Sequence, residues 1–387
     1  MATWFRLRAP VLARSGFAVA SVLFASSLWL AACSSPPPAK SRAAKPVAKA
    51  PAVSAQPQHK VSPKASARIV PPPEPNRAAD PADIAKARAK GWIWMVDKLA
   101  ADGISRDRAA SAFADPRMPA FDEGGLLFGL NPRESHFMYR NFLKEGSVAA
   151  AERCAESHAS DLVAAQRLHG VDASVVAAIM HVETHCGRNT GNSMVLHRLA
   201  RLAMANEPRN VARNLARNSG KNGEIDPELA ERVRSRARYL EGIFYPQVVA
   251  TFEIARQQGV DPIALRGSAA GAFGYVQFLP MNLVAFGTDG NNNGNVSLYE
   301  AADAAASCAR FLASYGWKPG ISREKRRQII WHYNRSDAYI DTVLGLADRI
   351  DASGVLTAAR AKPEATEARA VPVKAPGGRP ASVTQVP

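Results

Sequence analysis

The chain has only four cysteines among its 387 residues, no evident internal repeat, and no convincing run of alternating apolar and polar positions. Without such alternation a half-buried sheet has no basis, and the helical patterns that dominate residues 81–352 predict a mainly α protein. A glycine-rich stretch, Gly267 to Pro280, lacks the Gly-Lys-Ser/Thr that a phosphate loop requires. The net charge is +15 and the pI about 9.9. A basic balance of this size can indicate nucleic acid, but the N-terminus argues for another compartment and against a nucleic-acid partner. There Arg6, Arg8 and Arg14 precede an uncharged apolar stretch from Gly16 to Ala32, the plan of a secretory signal peptide. The alternative is an uncleaved anchor, for which the stretch is marginal in length.

Leu30-Ala31-Ala32-Cys33 resembles a bacterial lipobox, in which Cys33 is lipidated and becomes the new N-terminus. Residues 1–32 then form a signal peptide, and Ser34 after the cysteine implies the periplasmic face of the outer membrane. Residues 33–80 are rich in Pro, Ala, Lys and Ser and show no hydrophobic period, as expected of a tether. At polyproline rise roughly 45 such residues reach on the order of 100 Å. Residues 353–387 have the same character and are expected to form a disordered tail. Between them, residues 81–352 suffice for one large domain or two closely packed lobes. In an envelope setting the basic charge suits a cell-wall polymer with free carboxylates or an anionic membrane. Arg209, Arg213 and Arg217, followed by Arg232, Arg234, Arg236 and Arg238, read first as a solvated helical face and second as a polymer contact.

With Cys33 committed to lipid, Cys154, Cys186 and Cys308 remain for an oxidising space. A helix pair from Ala149 to His169 and from Ala173 to Cys186, turning at Gly170-Val171-Asp172, would put Cys154 and Cys186 at similar heights. A disulfide between them is expected, with Cys308 a buried free thiol. The competing reading makes all three small core residues.

Ala173 to Gly187 reads as a helix apolar nearly all round, hence buried, yet it carries Glu183 one turn after Ile179 and Met180. An unpaired carboxylate in such a place is costly to ionise, so its pKa should rise, and a carboxyl still protonated near neutrality can act as a general acid. The plain alternative is a Glu at an exposed helix end, satisfied by Arg188 or the backbone. Asp289-Gly-Asn-Asn-Asn-Gly-Asn-Val-Ser-Leu-Tyr-Glu300 fits the EF-hand loop at each defining position. Asp289, Asn291, Asn293 and Ser297 supply side-chain oxygens, Asn295 its carbonyl, Glu300 the bidentate carboxylate, and Gly294 the sharp turn. A structural Ca2+ of modest affinity is expected there; the alternative is an Asn-Gly surface turn.

Taken in order, Val182-Glu183-Thr184 with Gly187-Arg188, Gly267-Ser268, Gly271-Ala272-x-Gly274-Tyr275-x-Gln277-Phe278-x-Pro280, the calcium-type loop, Gly316-Trp317 and Tyr333-Asn334 resemble the lytic murein transglycosylase B family. The resemblance implies a lysozyme-like fold with its site in a cleft between lobes, and cleavage of the MurNAc–GlcNAc β-1,4 bond of peptidoglycan with no organic cofactor. It further implies that Glu183 is the acid, that Ser268 and Gln277 position the glycan, that Tyr275 and Tyr333 line the site, and that Asn334 orients Glu183 or the substrate. Peptidoglycan strands and the outer membrane are the implied partners, with proteins of wall synthesis or division beside them. The family pattern is broken at His185-Cys186, where a basic residue and an aromatic are usual. Most glycosidases need two carboxylates. None accompanies Glu183 near the motifs, so a single-carboxyl route through the substrate's acetamido group is expected. A lysozyme-type hydrolase and a non-catalytic wall-binding lipoprotein are the rival readings.

Overall fold

The computed structural model describes residues 78–121, 125–130, 139, 141–220 and 222–361. The expected signal peptide, the lipidation expected at Cys33, the expected tether to residue 77 and the chain beyond 361 lie outside the described residues. Asp80 starts the fold: its carboxylate accepts from Ala82 N at 2.8 Å, with Pro81 at the first helical position. Helices α1 (Pro81–Ala89), α2 (Ile93–Ala101) and α3 (Arg106–Ala114) pack on one another around Trp92, fully buried against Phe113 and Phe121.

Helices α4 (Glu145–Ser157), α5 (Ala159–His169) and α6 (Ala173–Thr184) follow. Where one helix is expected over residues 149–169, the chain forms two, because His158 leaves the helical region (φ −116°, ψ 23°) and serves as cap to both. Likewise α6 stops at Thr184, short of Cys186, because His185 turns left-handed (φ 49°). Eleven of the twelve residues of α6 are buried. Each large apolar side chain so placed contributes about 1.5–3 kcal/mol, which fixes this helix as the axis of the fold.

Strand β1 (Ser193–Met194) leads into α7 (Val195–Ala203); the long α9 (Pro227–Gln258) packs beside α7, and α8 (Pro208–Asn218) packs on α9. Asp226 caps α9 by accepting from Glu228 N and Leu229 N, and Gly259 ends it in the left-handed region. Strand β2 (Arg266–Gly267) pairs antiparallel with β1, Ser193 opposite Gly267. Helices α10 (Pro280–Phe286), α11 (Ala301–Ser314), α12 (Arg323–Tyr333) and α13 (Asp337–Ser353) complete the body. α6 is enclosed by α4, α5, α11 and α13. Order extends past the boundary expected at Ser353: Gly354 caps α13, Leu356 is buried and α14 (Thr357–Ala361) packs on α5. Among the described residues no helix is long and apolar enough to cross a membrane.

Candidate active site

Glu183 stands on the last turn of α6, half-buried. Tyr339, 1% exposed in the first turn of α13, donates its hydroxyl to Glu183 Oε1 at 2.8 Å. Burial lifts the Glu183 carboxyl to about 7, with the Tyr339 hydrogen bond pulling the other way. Arg188 is exposed and takes no part in that balance, so the plain reading of an ion-paired helix end does not hold. Tyr339 stacks on Tyr333 (ring centroids 6.2 Å apart, planes at 11°) and meets Tyr139 edge-on at 5.6 Å. The Cys308 thiol, fully buried on α11, is pushed well above its ordinary range by burial first and by the charge of Glu183 second. The carboxyl is thus backed by two phenols and a thiol.

Past Glu183 the chain reverses through three consecutive left-handed residues, His185 (φ 49°), Cys186 (φ 63°) and Gly187 (φ 77°). Thr184 Oγ1 faces the carbonyls of Tyr275 (2.8 Å) and Met180 (3.1 Å) and accepts from Gly187 N at 2.8 Å. Gly187 is obligatory, since a Cβ there would lie 2.3 Å from the Tyr275 ring. Cys186 is bonded to Cys154 of α4, Cα to Cα 5.8 Å, and Cys308 is a free buried thiol.

The glycine-rich segment folds as a loop against this turn. Ser268 is buried, and its hydroxyl bonds the backbone of Ala272, donating to O at 3.2 Å and accepting from N at 3.3 Å. Gln277, half-buried and left-handed (φ 46°), donates its amide to Thr190 O (3.1 Å) and Gly274 O (3.0 Å). Tyr333 donates to Val276 O and packs on Phe278 and Phe311. These three polar groups hold the loop together and to its neighbours. Tyr275 is half-buried over Gly187 with the His158 ring edge-on at 5.7 Å. Asn334 caps α12, and its Oδ1 is buried with no hydrogen-bond partner. An orphaned acceptor beside this ensemble fits an N–H donor that arrives with a ligand.

The calcium-type loop has the turn its sequence demands. Asp289 accepts from Asn293 N (3.1 Å) and Gly294 N (2.7 Å), and Asn293 Oδ1 accepts from Asn295 N at 2.8 Å. The amides of Asn291 (2.6 Å) and Asn293 (3.3 Å) meet Glu300 Oε2, so the first, third, fifth and twelfth positions converge. Among the described residues no group of three His, Cys, Asp or Glu could hold a metal; at this loop two carboxylates stand with two asparagine amides whose oxygens accept from backbone N–H groups, donor types that suit a hard cation. Ser297 Oγ lies 3.4 Å from Tyr299 N. The loop is fastened to the site by Tyr275 N donating to Leu298 O at 2.8 Å.

Three participants escaped the reading of the sequence. Tyr339 follows Tyr333 by six residues, and its one signal is Ser336, whose hydroxyl caps α13 by accepting from Tyr339 N at 3.3 Å. Asp303, fully buried, accepts from Gly290 N (2.8 Å) and Ser297 N (2.7 Å) and closes the calcium-type loop from outside its motif. The approach of Cys308 to Glu183 is set by helix packing and had no sequence signal.

Residues 92–326, more than half the chain, match the family described as Transglycosylase SLT domain. Membrane-bound lytic murein transglycosylase B of Escherichia coli (strain K12) is 30% identical over 156 residues, 40% of this chain and 35% of that protein. The chain therefore spans about a third of that relative's length. Among solved structures, catenated lytic transglycosylase SltB1 from Pseudomonas aeruginosa superposes with a TM-score of 0.51 at 21% identity, covering 67% of this chain and 96% of that one. Escherichia coli lytic transglycosylase Slt35 in complex with calcium gives 0.50 at 19% identity, covering 72% and 97%. At these identities the likeness carries the fold, which is mainly α and lysozyme-like. The family match over most of the ordered body, joined to that fold, shows that the chain belongs to the SLT-domain transglycosylases.

Proposed function

We propose that the protein is a lytic transglycosylase that cleaves the MurNAc–GlcNAc β-1,4 bond of peptidoglycan without water and leaves a 1,6-anhydro-MurNAc end. The observation that carries this is Glu183: half-buried, held by Tyr339 and free of a compensating cation, its carboxyl keeps a proton to about pH 7. It protonates the leaving glycosidic oxygen as the C1–O bond breaks. No second carboxylate perturbs it, so the substrate's 2-acetamido oxygen closes on C1 in the role a second carboxylate has elsewhere. Glu183, now a carboxylate, removes the C6 hydroxyl proton of the same MurNAc. The C6 oxygen attacks C1, the acetamido group is released, and Glu183 regains its proton. Because the attack is intramolecular, its effective molarity competes with water.

Asn334 Oδ1, buried and unpaired, suits the N–H of an acetamido group. Tyr275, half-buried over the turn, is the better placed of the two tyrosines to meet sugar, since the Tyr333 hydroxyl is spent on Val276. Ser268 and Gln277 act through the shape of the loop they hold. Ca2+, when bound, would be held by Asp289, Asn291, Asn293, Ser297, Glu300 and the Asn295 carbonyl, and would stiffen the loop on which Tyr275 hangs. Lipidation at Cys33 would place the enzyme on the periplasmic face of the outer membrane, within tether reach of the wall.

Digestion of purified sacculi by the protein and by Glu183→Gln tests the reading. Anhydro-muropeptides from the wild type, with turnover reduced by at least about 1000-fold in the variant, are expected. Reducing-end products would instead make it a hydrolase. Sacculus binding without soluble product would support the non-catalytic wall-binding role.

A further inference from the structure

The turn that follows the acid is one the sequence should resist. In the left-handed region Cβ crowds the following carbonyl, so residues other than glycine enter it singly and seldom in succession. Here His185 and Cys186 both occupy it, followed by Gly187, directly after Glu183-Thr184. The reversal closes α6 with Cys186 N donating to Met180 O (3.1 Å) and His185 N to His181 O (2.9 Å). It also aims Gly187 N at Thr184 Oγ1 and lays Gly187 beneath the Tyr275 ring. His185 is stacked on Phe142 at 5.6 Å; the Cys186 side chain is tied by the bridge to Cys154 on α4, and α4 packs on α6 itself.

Resting on the reading of Glu183 as the acid, we infer that the Cys154–Cys186 disulfide is a positioning element. It latches the strained left-handed turn and through it fixes the last turn of α6, where Glu183 stands. The Glu183 side chain has one described hydrogen bond, to Tyr339, and its backbone belongs to the last turn of α6. With the latch gone, Cys186 relaxes toward the ordinary helical or extended region. Thr184 Oγ1 then loses Gly187 N, the seat of the Tyr275 ring opens, and the carboxyl moves relative to Tyr339. The bridge joins α4 to the end of α6 within one packed unit, Cys154 to Cys186 being 32 residues apart.

The test compares Cys154→Ala/Cys186→Ala with Cys154→Ala/Cys186→Gly. Both lack the bridge, but glycine enters the left-handed region without penalty. Below the melting temperature of all forms, kcat on sacculi should fall by roughly 10- to 100-fold in the double-alanine variant, with KM within about twofold. The glycine variant should recover to within about threefold of wild type. Hydrogen exchange at the Gly187 amide supplies a readout independent of turnover: fast in the alanine variant, protected in wild type and in the glycine variant. Equal kcat in all three, or equal loss in both variants, would overturn the proposal and leave the bridge a stability cross-link. If the double-alanine variant does not fold, a loss of more than about tenfold in the glycine variant overturns it as well. Absence of anhydro product from the wild type would sink the functional reading instead, with the exchange comparison still deciding the latch.

Discussion

Glu183 and Tyr339 show how a single carboxyl is tuned. The native carboxyl titrates near 7 and an unfolded one at its ordinary 4.5. The native state therefore holds the proton over that interval, and stability falls as pH rises through it, by about 3 kcal/mol in all. On the proposed reading, that loss is the stability cost of an acid kept protonated at working pH. The Tyr339 hydroxyl favours the ionised form by donating to it, which in the proposed mechanism eases the second half of the reaction, where Glu183 acts as a base. Tyr339→Phe keeps the buried ring and removes the donor, so the carboxyl should hold its proton to higher pH. The limb of kcat/KM that reports loss of the acid is then expected to move toward alkaline pH, with kcat at neutrality down roughly tenfold as the carboxyl loses its orientation. A pH–rate profile checks this, and an unmoved limb would mean that Tyr339 does not bond the carboxyl in the working enzyme.

At the scale of elements, α8 explains the arginine period seen in the sequence. Arg209, Arg213 and Arg217 lie exposed on one side of it, while Asn210 and Asn214, fully buried, lie on the other. Asn210 Oδ1 accepts from Leu126 N (2.7 Å), Asn214 Nδ2 donates to Leu126 O (2.9 Å), and Asn214 Oδ1 accepts from Phe128 N (3.3 Å). The helix thus offers the passing chain the partners a neighbouring strand would give. Within α9, Arg234 and Arg238 pair with Glu231, and Arg236 lies over the Tyr239 ring at 5.3 Å. Arg232, Arg234 and Arg238 lie on the solvated face that the spacing favours, whereas Arg236 is half-buried with its Nε unpartnered. Asn214→Ala leaves Leu126 O and Phe128 N buried without that partner and should lower unfolding free energy by about 2–4 kcal/mol. Urea denaturation measures it. A loss below about 0.5 kcal/mol would mean that water replaces the amide fully.

At the scale of the molecule, the loop from Asp289 to Glu300 ties separate elements together. It is joined to the glycine-rich loop through Leu298 and Tyr275, to α9 by Gln258 Nε2 donating to Val296 O (2.7 Å), and to α11 by Asp303. An ion bound there stabilises by mass action, about 2.7 kcal/mol at 100 times its dissociation constant. For a body of this size that corresponds to roughly 4–5 °C in melting temperature. Chelation is expected to lower the wild-type melting point by that amount, whereas Glu300→Gln should melt low with or without calcium. Equal melting of wild type in both conditions would leave the loop an Asn-Gly turn.

What the sequence determined by itself was whatever depends on residues close in the chain. The apolar wrap of α6, the tight turn that starts at Asp289 and the ordered motifs around Glu183 were legible because helix period and turn chemistry are local. Helix ends were less so: nothing in His158 announces a break, since a histidine is tolerated in either state. The tertiary structure alone decided the company of Glu183. Tyr339 lies 156 residues away and Cys308 reaches it on another helix, both brought in by packing around α6. It alone turned Ser268, Gln277 and the Tyr333 hydroxyl inward, because buried backbone groups of the loop need partners and these side chains are within reach. The charge state of the acid belongs to the fold for the same reason: desolvation is a property of everything packed around a group, and no short stretch of sequence contains it.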